Sequence, residues 1–185
     1  SLTATGTIPV VVKWAEGWHA GVPGDMTLQV RSSGLDVAVL NAFTNRTVSD
    51  IAGTLGLDLA VTGPVSNPHP QGSFALTHGQ ATLPSLGVRI EQVLVRGQVT
   101  EDAMRIVELS AQSGAGRLTG SGELALHDYL PQQLTLALSA EHWPLIHTPR
   151  YQVELDGQLK AHGPLSHPHV TGKLRIGLSW WFSRS

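Results

Sequence analysis

Between residues 54 and 62 the aliphatic side chains Leu55, Leu57, Leu59 and Val61 take every second position, with Thr54, Gly56, Asp58, Ala60 and Thr62 between them. Strict period two is the mark of a strand with one dry face. The alternation returns in Phe74 and Leu76, in Val93, Val95 and Val99, in Leu118, Leu124 and Leu126, and in Leu134, Leu136 and Leu138. It closes with Val153, Leu155 and Leu159, then Leu174 and Ile176. Short turn signals lie between these runs, among them Thr77-His78-Gly79-Gln80, Arg96-Gly97 and Ser113-Gly114-Ala115-Gly116, as an antiparallel meander requires. Burying Leu55, Leu57, Leu59 and Val61 is worth about 6–12 kcal/mol at ~1.5–3 kcal/mol per side chain. That is comparable with the whole net stability of a domain, about 5–15 kcal/mol. The sheet must therefore fold over on itself, meet a second sheet, or hold an apolar guest.

Helix cannot supply the cover. The best helical candidate is residues 35–46, where Leu35, Val39, Ala42 and Phe43 share a face, with a second short turn near 143–146. Gly and Pro, 20 and 11 of 185 residues, argue against longer helices. The expected fold is all-β: an elongated, mostly antiparallel sheet curled into a groove with an aliphatic interior, plus one or two short helices.

Charge and composition exclude several functions. A formal charge of -2 with no block of like charge lacks the footprint of a nucleic-acid binder. With no cysteine, disulfides and thiolate chemistry are impossible. The longest apolar run, residues 8–12, is far short of the roughly 20 residues of a membrane-spanning helix. Nine histidines invite a metal reading, chiefly His162, His167 and His169 with His69 and His78. No carboxylate or cysteine stands beside His167-x-His169 to complete a site, so we read them as turn histidines and expect no metal or cofactor. Asp36, Asp50, Asp58, Asp128 and Asp156 are scattered, and Gly120-Ser121-Gly122 reads as a tight bend between strands rather than a nucleophile elbow. We expect no enzyme activity. Trp14, Trp18 and Trp143 could stack on a sugar, but packing is the better reading, with Trp143 standing where Leu35 falls in a repeat described next.

Residues 63–72 recur as 163–172: Gly63, Pro64, Ser66, Pro68, His69 and Gly72 match Gly163, Pro164, Ser166, Pro168, His169 and Gly172. Leu55 and Leu59 match Leu155 and Leu159, and Phe74 and Leu76 match Leu174 and Ile176. A second pair, residues 23–30 and 131–138, stands 108 apart, and the extra eight residues fall between the two pairs. This is the signature of a stacked or elongated architecture. We place approximate repeat boundaries at 1–126 and 127–177 within one elongated segment of a larger protein. Residues 178–185, with Trp180-Trp181-Phe182, follow no upstream pattern and read as a non-native or disordered tail.

The succession of strand, Gly-Pro-x-x-x-Pro-x-x-Gly, strand, Leu86-Gly87-Val88, an alternating strand and then residues 113–124 (SGAGRLTGSGEL) resembles the periplasmic repeats of TamB-type proteins, within the wider AsmA-like group. The resemblance runs to about Gly177 and rests on glycines, prolines and aliphatics rather than reactive residues. It implies a piece of a long periplasmic protein of Gram-negative bacteria, anchored in the inner membrane, whose sheet forms a taco-like groove. It also implies work in phospholipid movement and in outer-membrane protein assembly with a TamA-type barrel partner, engaged through parts of the parent protein outside this sequence.

On that reading phospholipid acyl chains would contact Leu55, Leu57, Leu59, Val61, Phe74, Leu76, Val93, Val95, Leu124, Leu126, Leu134, Leu136, Leu138, Val153, Leu155 and Leu159. Gln152, Glu154, Asp156, Gln158 and Lys160 would face water. Two rival readings stand beside it. One is a scaffold whose strand edges pair with unfolded outer-membrane proteins, and the other a closed sandwich whose faces bury only each other. Exposed edges would also favour self-association.

Overall fold

The computed structural model describes residues 2–7, 11–13, 19–21, 24–42, 47–127 and 130–180. Ten strands form one antiparallel sheet: β1 (Leu2–Thr7), β4 (Asp25–Asp36), β5 (Ser49–Pro64), β6 (His69–Leu83), β7 (Val88–Val99), β8 (Ala103–Ser113), β9 (Gly116–His127), β10 (Leu130–His147), β11 (Tyr151–Pro164) and β12 (His169–Trp180). They lie side by side in that order, each hydrogen-bonded to the next. β2 (Val11–Lys13) and β3 (His19–Gly21) make a separate two-stranded ribbon. From β4 onward the large sheet is a pure meander, as short turns between alternating runs dictate.

The sheet is a single, gently curved layer. β1 and β12 are its two edges and do not pair with each other. Among the described residues β10 also approaches β7 and β8, where the short β8–β9 hairpin lets the start of β7 and the end of β10 meet beyond its tip. Burial concentrates near there, at Val88, Ala111, Ser113 and Ala140, and Ser113 Oγ donates to the Arg89 carbonyl at 2.6 Å. Among the described residues no large side chain is completely buried. A closed sandwich would have such a core, so that reading is set aside.

Several local expectations are corrected. Leu35 and Asp36 belong to β4, and the helix that follows is a short 3-10 turn, Val37–Ala42. Phe43 and the rest of that candidate, like Trp14, Trp18 and Asp128, lie outside the described residues. Residues 143–146 are in β10, and a second 3-10 turn is instead Pro84–Leu86, closed by Gly87 at φ 65°. Residues 77–80, 96–97 and 120–122 lie inside β6, β7 and β9 rather than in turns. Their glycines have another purpose. A Cβ on Gly97 would run into the Phe74 ring, and one on Gly120 would meet Leu138 at 2.6 Å. Glycine here gives a bulky neighbour room to lie across the next strand.

The repeat is visible in the pairing itself. β5 and β6 join Leu55 to Leu76, Leu59 to Gly72 and Thr62 to His69; β11 and β12 join Leu155 to Ile176, Leu159 to Gly172 and His162 to His169. Both hairpins turn through the same bond, Asn67 N–H to the Pro64 carbonyl at 2.9 Å and His167 N–H to the Pro164 carbonyl at 3.0 Å. Gly63 and Gly163 enter those turns at φ 94° and 115°. A bulge between Ser32 and Leu35 in β4 returns between Ala140 and Trp143 in β10, so Trp143 does occupy the place of Leu35.

Candidate functional site: an aliphatic sheet face

The cross-strand register gathers the alternating aliphatics into rows. One row crosses nine strands through Leu35, Leu55, Leu76, Val95, Leu109, Gly120, Leu138, Leu159 and Gly172. Beside it runs Ser32, Leu57, Phe74, Gly97, Ile106, Gly122, Leu136, Ala161 and Val170. A third holds Val30, Leu59, Gly72, Val99, Met104, Leu124, Leu134 and Gly163. No charged residue enters these rows. Val61, Val93, Leu126, Val153 and Leu155 extend the same face, opposite Leu28, Gly79, Pro131, Ile146 and Trp143.

All sixteen residues expected on the dry face are half-buried, although among the described residues no second sheet faces them. Cross-strand neighbours shield one another, because Leu59, Phe74, Leu136 and Leu138 lie beside Gly72, Gly97, Gly122 and Gly120. The sequence reading missed those glycines and most of β8. There an extra residue between Ile106 and Leu109 breaks the period, so Ile106 and Leu109 share the face at a spacing of three. Bulges of this kind also interrupt β4, β5, β6, β7 and β10, with Asp50, His78, Gln92 and His142 at positive φ. Each bends its strand and adds twist without turning the aliphatics to the wrong side.

The opposite parity is polar and held by cross-strand ion pairs: Arg31–Asp58 at 3.2 Å, Arg96–Glu108 at 3.1 Å and Arg105–Glu123 at 2.6 Å. A shallow hollow of about 550 Å³ is lined by Arg31, Ser33, Asp58, Ser73, Arg96 and Gln98 of that parity together with Leu57, Phe74 and Val107. A second, of about 510 Å³, sits where β7 and β10 converge, among Arg89, Glu91, Ser113, His142, Gln152 and Glu154. The histidines do not converge on one point. His69 pairs with Glu101, His167 Nδ1 lies 3.0 Å from Ser166 Oγ, and the His162 and His169 rings stack at 5.7 Å. Among the described residues no three His, Asp or Glu side chains are grouped to hold a metal ion.

The family model described as TamB C-terminal domain matches residues 107–178, from β8 to β12. This stretch is TamB-type. The TamB match contains the second copy of the repeat, and the shared register of β4–β6 and β10–β12 carries the same pattern into the first copy. No curated protein and no solved structure matches the chain. A TamB domain points to cell-envelope biogenesis and outer-membrane protein assembly, in a family that works as a non-enzymatic transport and assembly module with a TamA-type partner. It implies a periplasmic envelope protein; among the described residues no helix is long and apolar enough to cross a membrane.

Proposed function

We propose that this chain is a segment of an inner-membrane-anchored periplasmic bridge that holds or conducts phospholipid acyl chains between the inner and outer membranes of a Gram-negative cell. One observation carries the reading: charge-free apolar rows cross nine strands, and among the described residues no second sheet packs over them. Each acyl methylene moved from water onto such a face gains up to about 0.8 kcal/mol. Ten of them would gain on the order of 8 kcal/mol, enough to offset much of the entropy of ordering a chain. The contacts assigned to lipid are the sixteen apolar positions already placed, from Leu55 on β5 to Leu159 on β11. No catalysis, cofactor or metal enters the reading, and the TamA-type barrel would be engaged through other parts of the parent protein.

The test is transfer of phospholipid in cells carrying the parent protein. Leu57→Asp or Leu136→Arg should obstruct it, as should the milder Leu136→Ser, while Gln158→Ala on the polar parity should not. Normal transfer by the aliphatic-face variants, at unchanged protein level, would sink the reading.

A second reading has its own observation. Among the described residues β12 pairs on one side only, and from His169 to Ser179 every residue is exposed. A twelve-residue strand with an open edge is a template for adding another strand.

A further inference from the structure

We infer that the hollow between β7 and β10 seats an aminoethyl phosphate group, the headgroup of a zwitterionic phospholipid whose acyl chains lie on the aliphatic face. This rests on the acyl-chain reading and adds the headgroup that goes with it.

The hollow is a consequence of strand length. β8 and β9 turn back at Ser113 and Gly116, so residues 88–90 of β7 and 142–147 of β10 run on past the hairpin tip. There the two strands come so close that a Cβ on Gly87 would strike the His147 carbonyl, yet among the described residues they share no ladder. The hairpin tip puts nothing bulky between them: a Cβ on Gly114, at φ 57°, would have no atom within 4 Å. A space of about 510 Å³ is left, within the range of about 300–1,000 Å³ usual for small-molecule sites. Its position suits the end of a lipid. The aliphatic parity of β8 runs from Leu109 through Ala111 to Ser113, and Ser113 lines the hollow. An acyl chain on that face would therefore have a polar seat at the end of the row.

The walls call for an ammonium beside a phosphate. One arginine, Arg89, stands against two glutamates, Glu91 and Glu154, so with its histidines neutral the lining is net negative. Arg89 meets Glu91 through Nε at 2.8 Å, and its terminal nitrogens carry further N–H groups to offer a phosphate. Glu154 has no such partner. It is half-buried, it accepts from the Gln152 side-chain amide at 2.7 Å, and its register partners are Pro144 and Gly177, so among the described residues no cation meets it. Asp58, Glu108 and Glu123, on the polar parity elsewhere, each have an arginine on the adjacent strand. A ligand ammonium supplies what Glu154 lacks. An anionic phosphoglycerol headgroup would bring no ammonium and would add negative charge to a net-negative lining.

The test is calorimetric titration of the whole chain with two short-chain lipids that differ only in headgroup, dihexanoyl phosphatidylethanolamine and dihexanoyl phosphatidylglycerol, and with free phosphoethanolamine. The ethanolamine lipid should bind about fivefold tighter than the glycerol lipid, and the free headgroup at least about tenfold more weakly than the ethanolamine lipid. Glu154→Gln should level the two lipids and Glu154→Lys should favour the glycerol one, each with an unchanged circular dichroism spectrum. Equal binding of the two lipids by the unaltered chain, or a preference that survives Glu154→Gln, would overturn the headgroup assignment and leave the acyl-chain reading standing. Free phosphoethanolamine binding as tightly as the lipid would overturn lipid as the source of the group. No binding of either lipid would overturn both the assignment and the acyl-chain reading.

Discussion

The β5–β6 and β11–β12 hairpins share a turn, a register and nearly the same aliphatic pattern, displaced by 100 residues, yet their surroundings are opposite. β5–β6 is enclosed between β4 and β7, and Leu55, Leu57, Leu59, Phe74 and Leu76 are half-buried. β12 is an edge, and the residues matching Phe74 and Leu76, Leu174 and Ile176, are 51% and 59% exposed. With no second layer among the described residues, the difference comes from the neighbour that β12 lacks there. In this fold a side chain is sheltered by the strands beside it, not by a facing sheet, and stability should follow lateral position more than local sequence.

Substitutions at matched positions put lateral shelter to the test. Leu57→Asp sets a charge among aliphatics in the enclosed hairpin and should cost about 2–4 kcal/mol, while Ile176→Asp at the edge should stay within about 1 kcal/mol. Urea unfolding measures both, and equal losses would remove the lateral-shelter account. Next in size is Gly97→Val, which forces a side chain into the Phe74 ring and should cost about 1–3 kcal/mol. Gly177→Ala, with nothing within 4 Å, should move stability by no more than ~0.5 kcal/mol. The third pair lies at the equivalent turn glycines. Both Gly63→Ala and Gly163→Ala carry the cost of positive φ, about 1–2 kcal/mol. A Cβ on Gly63 would also meet His69 at 2.5 Å, against 3.7 Å from Gly163 to His169, so the first substitution should be the worse in thermal melts. Smallest is Arg105→Ala. Its pair with Glu123 is 56% and 41% exposed, and its loss should register below about 1 kcal/mol, less again at high salt.

The dry face was legible wherever a strand kept period two. Leu55 to Val61, Leu134 to Leu138 and Val153 to Leu159 needed only counting, and the Gly-Pro corners located both equivalent hairpins. What stayed hidden has physical causes. Between Ile106 and Leu109 a bulge adds a residue, and period counting loses β8 there. Gly97 and Gly120 look like turns in sequence, because nothing local shows that Phe74 or Leu138 on another strand needs their space. The 35–46 segment has helical spacing, but Leu35 pairs with Leu55, and extending β4 gives its backbone a ladder partner where a short isolated helix would be marginal. The polar face was visible as a parity, while its ion pairs depended on a register that only the sheet displays.

If the aliphatic face holds acyl chains, as proposed, lipid must come within bonding reach of its side chains. A photo-crosslinking amino acid placed in the parent protein at Leu57 or Leu136, and at Gln158 or Glu123 on the polar parity, tests it directly in living cells. Mass spectrometry of the purified adducts should find phospholipid attached at positions 57 and 136 and not at 158 or 123. Adducts on both faces alike, or none on the aliphatic face, would contradict the account.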